Sequence, residues 1–271
     1  MPELPEIENV KSQITHLNNK TITNVIVRNG DLRYKINQDI TQDLINKTVI
    51  AIHRRAKYLV LDLNQGHLIV HLGMSGSITL LDVTDANNLL KHDHIDIIFD
   101  NNIIFRFNDP RRFGCVLYVD QYSKHEIFKD LGVEPLTDEF DEEYLFNRLH
   151  QKRTSIKQLI MDNSIVVGIG NIYASEALFL AKISPFRHGK SILKAEVKTL
   201  VSNIKILLKK AIKEGGSTLK DYKHTDGGHG EFQNLHLVYD KNGTPCKICN
   251  DIITAKRLGQ RNSFYCPTCQ S

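Results

Sequence analysis

Residues 168–183 read GIGNIYASEALFLAKI, and a helical period places Ile172, Glu176, Phe179 and Ile183 on one face. Three of the four are apolar, so the face is a core face, and Glu176 lies within it. A buried carboxylate must be ion-paired, hydrogen-bonded or protonated. The helix is entered through Gly168-Ile169-Gly170-Asn171, whose small residues leave backbone N–H groups open to an anion such as a phosphate. Upstream, residues 141–163 also read as helical. Downstream, residues 194–216 read KAEVKTLVSNIKILLKKAIKEGG. Val197, Leu200, Val201, Ile204, Leu208 and Ala211 form its apolar stripe, the lysine-rich face is solvated, and Gly215-Gly216 end it.

Toward the N-terminus the period changes from helical to two. TITNVIVRNG, VIAIHRRAKYLVLDL, HLIVHLGMSG, SITLL, HIDIIF, IIFRF and GCVLYV follow at hairpin spacing, which predicts an antiparallel sandwich or barrel up to about residue 122. Cys115 shares a strand face with Leu117 and Val119 and reads as core. Lys57 shares one with Leu59, Leu61 and Leu63, so it either snorkels at the strand end or is held at a site. HLGMSG and DPRRFG put Met74 and Phe113 on turns, the latter beside Arg111 and Arg112. Such side chains either plug the ends of a sandwich or wedge into a nucleic-acid stack.

The chain opens MPELPEIENV. Pro5 suits the first position of a helix, Glu6 and Glu8 suit its positive end, and Ile7, Val10, Ile14 and Leu17 continue at helical spacing. That accounts for Pro5 onward and leaves Pro2 and Glu3 without a structural role.

At the other end, Cys246-x-x-Cys249 and Cys266-x-x-Cys269 are sixteen residues apart. Two such knuckles bring four thiolates into one tetrahedral Zn2+ shell, so one structural zinc is expected. The residues between them predict a hairpin with Arg261 at its tip and Lys256 and Arg257 behind it. This is either a groove reader or a small interaction module with a basic turn. Residues 215–235 hold five glycines and little periodicity, and a long loop of this kind is usually functional.

The chain has 271 residues, is 41% hydrophobic and 24% charged, and carries a formal charge of +4. It is long enough for two modest domains, and its charge is compatible with a polyanionic partner. No run has the length of a membrane helix and no signal-peptide pattern opens the chain. A cytoplasmic protein is the expectation.

Taken together, MPELPE, RRAKYL, HLGMSG, KHDH, DPRRFG, VVGIGNIYASE, EGGSTLKDY and QRNSFYCPTCQ resemble the bacterial formamidopyrimidine-DNA glycosylases, in family order from residue 1 to 270. The resemblance implies an α+β protein. Its N-terminal helix and antiparallel β-sandwich would span 1–132, its helix–two-turns–helix domain with a lesion-capping loop 133–235, and its zinc-finger β-hairpin 236–271. It implies a monomeric base-excision repair enzyme, without a membrane partner, acting on double-stranded damaged DNA. Such an enzyme removes oxidised purines and then cleaves the strand by β,δ-elimination.

By the same resemblance Pro2, freed of Met1, is the nucleophile. An α-amine has a pKa near ~8 against ~10.4 for lysine, so more of it is neutral at pH 7. A secondary amine gives a cationic iminium that serves as an electron sink. Glu3 would transfer protons, Lys57 would be the β-elimination acid and Arg261 would aid δ-elimination. His92, Arg111, Lys152 and Asn171 would contact DNA. Met74, Arg111 and Phe113 would fill the gap left by the flipped base. Glu6 and Glu176 would support the site, and Cys246, Cys249, Cys266 and Cys269 would bind zinc. Glu231 stands where many members carry an aromatic residue. Leu4 and DPRRFG favour purine specificity over the related endonuclease VIII type. Intact Pro2 and Glu3 favour an enzyme over a non-catalytic damage binder.

Overall fold

The computed structural model describes residues 1–37, 39–217 and 230–271. The expected lesion-capping loop falls largely on 218–229, outside the described residues. The chain forms two compact units, Met1–Lys129 with Gly215–Glu231, and Asp130–Glu214 with Phe232–Ser271.

In the first unit, helix α1 (Leu4–Ile14) is followed by β1 (Ile22–Val27), α2 (Ile40–Leu44), β2 (Val49–Arg55), β3 (Tyr58–Leu63) and β4 (His67–His71). Then come β5 (Ser77–Asp82), β6 (Asp93–Phe99), β7 (Ile103–Asn108), β8 (Cys115–Val119) and α3 (Glu126–Lys129). The strands form two four-stranded sheets, ordered β1-β6-β7-β5 and β2-β3-β4-β8. Every pairing is antiparallel. The chain changes sheet after β1, β4 and β7, which makes a sandwich rather than a barrel. Its core joins Leu59 and Leu61, Ile95 and Ile97, and Phe105 and Phe107 to Ile7, Val10 and Ile14 of α1. Full burial of each contributes roughly 1.5–3 kcal/mol.

Pro5 occupies the second position of α1, one later than a first-position proline, because Glu3 is the N-cap and Leu4 opens the helix. Lys57 is not in a strand. It lies with Ala56 in the two-residue turn joining Arg55 and Tyr58, so the shared-face reading of RRAKYL is corrected there.

The second unit contains α4 (Glu142–Leu149), α5 (Ile156–Ile160), α6 (Asn171–Leu180), α7 (Lys194–Lys213), β9 (Thr254–Leu258) and β10 (Arg261–Tyr265). The helical stretch expected over 141–163 is thus two helices. Gln151 takes a left-handed φ of 64° and Ser155 caps α5 by accepting the Gln158 N–H, so the backbone breaks between them. The helix expected to run to residue 183 stops at Leu180, and Lys182 turns the chain with φ 60°. Among the described residues, no helix is long and apolar enough to cross a membrane.

Candidate functional site

The N-terminal turn is assembled by one carboxylate. Glu6 is fully buried. Its Oε2 accepts the Glu3 N–H at 2.8 Å and its Oε1 accepts the Ser217 N–H at 2.8 Å. Pro2 is buried and Glu3 is only 3% exposed. Gly216 has a φ of +75°, and a Cβ there would sit 2.9 Å from Glu6 Oε1, so both its torsion and its contact require glycine. The acidic start of the chain is therefore more than helix-dipole chemistry: it ties residue 3 to residue 217.

Along α1, Glu8 pairs with Lys11 and accepts from Arg54 Nε at 2.8 Å. Arg54 Nη1 also donates to the Ala56 carbonyl at 2.9 Å. Ala56, itself at φ 55°, precedes Lys57, which is 6% exposed. The lysine thus does not snorkel to solvent; its turn is held against α1, the helix that begins at Leu4. The neighbouring His71 accepts the Gly73 N–H at Nδ1 (3.1 Å). Burial first, and then the Lys57 charge, push its pKa down to about 4.

The Met74 and Phe113 turns form a second cluster in the same unit. Met74 is 38% and Phe113 44% exposed, so neither plugs the sandwich. The Arg111 guanidinium carbon lies 5.0 Å from the Phe113 ring centroid, within cation–π range. The turns meet backbone to backbone: Gly73, at φ +59°, leaves no space for a Cβ, which would lie 2.5 Å from the Phe113 carbonyl carbon. Buried Asp109 accepts from Ser75 Oγ at 2.8 Å and from the Gly114 N–H at 2.8 Å. The preceding loop is fixed from below. Arg106 donates to the carbonyls of Ala86 (2.7 Å) and Asn88 (2.9 Å) and to the Asp96 carboxylate (2.8 Å). That loop ends at half-buried His92.

In the second unit, Lys157 is 2% exposed although it lies on a helix. Its Nζ donates to Asn171 Oδ1 (2.7 Å), Ser263 Oγ (2.8 Å) and the Asn262 carbonyl (3.3 Å). Asn171 Nδ2 donates to the same carbonyl at 3.1 Å. These bonds fasten the start of α6 to β10 one residue beyond Arg261. The turn of the hairpin is Gly259-Gln260, and Arg261 opens β10 as an exposed residue. A cleft of about 180 Å3 lies between the start of α6 and the hairpin, lined by Lys157, Asn171 and Arg261 together with Gln158, Met161 and Leu258. Lys152 is exposed on the α4–α5 connection. Sequence reading passed over Lys157 because a helical lysine is normally solvated. Its signal is the apolar company of Ile156, Leu159 and Ile160, all buried.

Glu176 accepts the N–H groups of Leu237 (2.9 Å), Val238 (2.9 Å) and Tyr239 (2.7 Å). Burial raises its pKa, and the three amides pull the other way. Of the alternatives open for a buried carboxylate, hydrogen bonding is the one present.

The four cysteine ligand atoms lie within 4.8 Å of one another, with Sγ–Sγ distances of 3.4 and 3.9 Å across the two knuckles. Tetrahedral zinc with Zn–S bonds of ~2.3 Å spaces its sulfurs by ~3.8 Å, so the cluster fits one structural zinc. Ile248 and Cys269 N–H groups donate to the Cys246 and Cys266 sulfurs, both at 3.4 Å. Cys246 and Cys266 pack with Phe179, Val238, Ile253 and Phe264. The module is thereby joined to α6.

Three family models match in succession: the formamidopyrimidine-DNA glycosylase N-terminal domain over residues 1–116, its H2TH domain over 131–223, and a zinc finger found in FPG and IleRS over 243–271. The formamidopyrimidine-DNA glycosylase of Aliivibrio fischeri (strain MJ11) is 45% identical over 271 residues, covering 100% of this chain and 98% of its own. A crystal structure of a Lactococcus lactis FPG mutant with a Fapy-dG containing DNA aligns at TM-score 0.91 and 31% identity, over 100% of both chains. A Lactococcus lactis Fpg complex with abasic-site DNA aligns at TM-score 0.90 and 32% identity, over 99% of each. This chain belongs to the formamidopyrimidine-DNA glycosylase family.

Proposed function

We propose that the protein is a bifunctional base-excision repair enzyme. It excises oxidised purines, 8-oxoguanine and formamidopyrimidines, from double-stranded DNA and cleaves the strand at the resulting abasic site. The observation that carries the reading is the N-terminal turn, where Pro2 and Glu3 are buried and the Glu6 carboxylate fixes the backbone between them and the helix. The helix start accounts for Glu3, the N-cap of α1, but not for a buried Pro2 ahead of it, and a nucleophilic N-terminus supplies that role.

Once Met1 is removed, the Pro2 nitrogen attacks C1′ of the damaged nucleotide. The C1′–base bond breaks, and Glu3 moves the protons needed to open the sugar and release the base. The product is an iminium, already cationic, which makes the C2′ proton acidic. Loss of that proton expels the 3′ phosphate with Lys57 as acid. A second elimination expels the 5′ phosphate, aided by Arg261. Met74, Arg111 and Phe113 occupy the space vacated by the flipped base and offset part of its unstacking cost, a few kcal/mol by general experience. His92, Lys152 and Asn171 hold phosphates. Cys246, Cys249, Cys266 and Cys269 would hold a structural zinc, which would fix the hairpin that carries Arg261. The functional segments are 1–132, 133–235 and 236–271, and the enzyme works as a monomer in the cytoplasm.

The test is borohydride trapping on a duplex carrying 8-oxoguanine opposite cytosine. Protein confirmed by mass to lack Met1 is expected to give a covalent adduct that peptide mapping places on Pro2. Protein retaining Met1, or Pro2→Gly, is expected to lose or sharply reduce it. Tight, lesion-selective binding by Met1-free protein without any adduct would refute the catalytic reading.

A further inference from the structure

Asp109 is 0% exposed, and all four of its polar atoms are engaged. Its N–H donates to the His92 carbonyl at 3.1 Å, and its own carbonyl accepts the Arg112 N–H at 3.2 Å and His94 Nε2–H at 2.7 Å. Oδ1 accepts the Ser75 hydroxyl at 2.8 Å and the Arg111 N–H at 3.3 Å. Oδ2 accepts the Gly114 N–H at 2.8 Å. Ser75 Oγ in turn accepts the Arg111 N–H at 3.1 Å. These partners have one thing in common. Ser75 follows Met74, Gly114 follows Phe113, Arg111 is itself a proposed gap-filling residue, and His92 is a proposed DNA contact.

We infer that Asp109 is a positioning residue that joins Met74, Arg111, Phe113 and His92 into one preorganised unit. It does not touch DNA. Resting on the base-flipping role proposed above, the inference adds a division of labour. Exposed side chains on two turns would otherwise have to be ordered as the duplex is opened, at an entropic cost. One buried carboxylate removes that cost by fixing both turns before DNA arrives. Arg112 is held at φ 57° between the two exposed residues of its turn. This conformation is disfavoured for arginine and persists because the Asp109 carbonyl accepts the Arg112 N–H from one side while Gly114 is fixed from the other. An ordinary core aspartate would serve one partner or one cation; this one takes the Ser75 hydroxyl beside Met74, the N–H of Arg111 itself and the Gly114 N–H beside Phe113.

The experiment compares two substrates under single turnover: a paired 8-oxoguanine:cytosine duplex, and a single-stranded oligonucleotide with a preformed abasic site, which needs no flipping. Asp109→Asn keeps one acceptor oxygen but turns an amide donor toward the Gly114 or Ser75 donors. Loss of one buried hydrogen bond corresponds to about a 10-fold slower excision from the duplex. Cleavage at the single-stranded abasic site is expected to stay within about threefold of wild type, because unpaired targets carry the least flipping cost. In a cycle with Met74→Ala the two losses on the duplex are expected to be non-additive. A parallel loss on both substrates reduces Asp109 to a folding role and overturns the inference. An unchanged duplex rate overturns it as well. If Asp109→Asn fails to fold, Ser75→Ala, which removes the hydroxyl bridge alone, is read by the same criteria. If Met74→Ala leaves the duplex rate at wild-type level, the gap-filling reading fails, and that outcome is distinct from a failure of Asp109.

Discussion

The Glu6 carboxylate and the Ser217 N–H, 2.8 Å apart, join the third residue past the candidate nucleophile's neighbour to a point 211 positions away in sequence. The other Glu6 oxygen holds the Glu3 N–H, so one carboxylate fastens the N-terminal turn to residue 217.

Glu6→Gln would leave one acceptor for two N–H donors and aim an amide at the other. The expected loss of stability is about 1–3 kcal/mol. Trapping on the duplex is expected to slow by about tenfold, as misplacement of a reacting group reduces rates steeply. Thermal unfolding and trapping rates check this together. Wild-type values in both would show that the bridge is incidental.

The Glu8–Arg54 pair makes a different prediction. Burial alone would raise the Glu8 pKa, but Lys11 and Arg54 bring it below the ordinary value. Its stabilisation is therefore full above the ordinary carboxylate pKa and lost as pH falls through the lowered one. Since Arg54 also holds the Ala56 carbonyl, Arg54→Ala is expected to slow strand cleavage more than base loss, whereas Glu8→Gln is expected to affect both only slightly. Separate assays of the two steps on one substrate decide it. Equal slowing of both steps by Arg54→Ala would remove the link to the Lys57 turn.

Much of this was legible in the sequence because it is local. The strands alternate with a period of two, the hairpins are short, and the cysteine knuckles announce their own ligand. What escaped is what depends on distant backbone. Glu6 looked like a first-turn acid because Ser217 lies far along the chain. Lys57 looked like the end of a strand because the two-residue turn before Tyr58 left no glycine to mark it; Ala56 takes the left-handed conformation instead. The break between Leu149 and Ile156 was hidden by apolar residues on both sides. Asp109 was hidden for the opposite reason, since an acid beside two arginines reads as their counter-ion, while its carboxylate serves Ser75, Arg111 and Gly114.

Zinc removal should reach beyond the finger. Cys246 and Cys266 pack against Phe179 of α6, so Cys249→Ser is expected to reduce bound zinc from one per chain toward none. Unfolding of the hairpin would also release Lys157 and Asn171 from the Asn262 carbonyl. DNA affinity should fall by at least tenfold, the loss of a phosphate contact or two, with a shallower dependence on salt. Metal analysis paired with a salt titration of binding tests both. Full affinity and an unchanged salt slope in zinc-free protein would show that the hairpin contributes nothing to DNA binding.

Acid sensitivity should begin above the carboxylate range. Burial, followed by the Lys241 charge, lowers the His236 pKa from 6.5 to about 4. His236 packs against the rings of Phe232 and Tyr239. The folded protein keeps this ring neutral, and unfolding between these two pH values takes up a proton. The stabilisation is complete above pH 6.5 and declines as pH falls toward 4. Within that window it changes by about 1.4 kcal/mol per pH unit for one histidine. His71 acts with the same sign. The lowered carboxylates Glu8 and Asp96 contribute mainly below about pH 4. Denaturant unfolding at pH 7, 6 and 5 should therefore show falling stability before the lowered carboxylates Glu8 and Asp96 titrate. His236→Gln should make that slope shallower by close to one proton; an unaltered slope would mean that His236 is charged in the folded state.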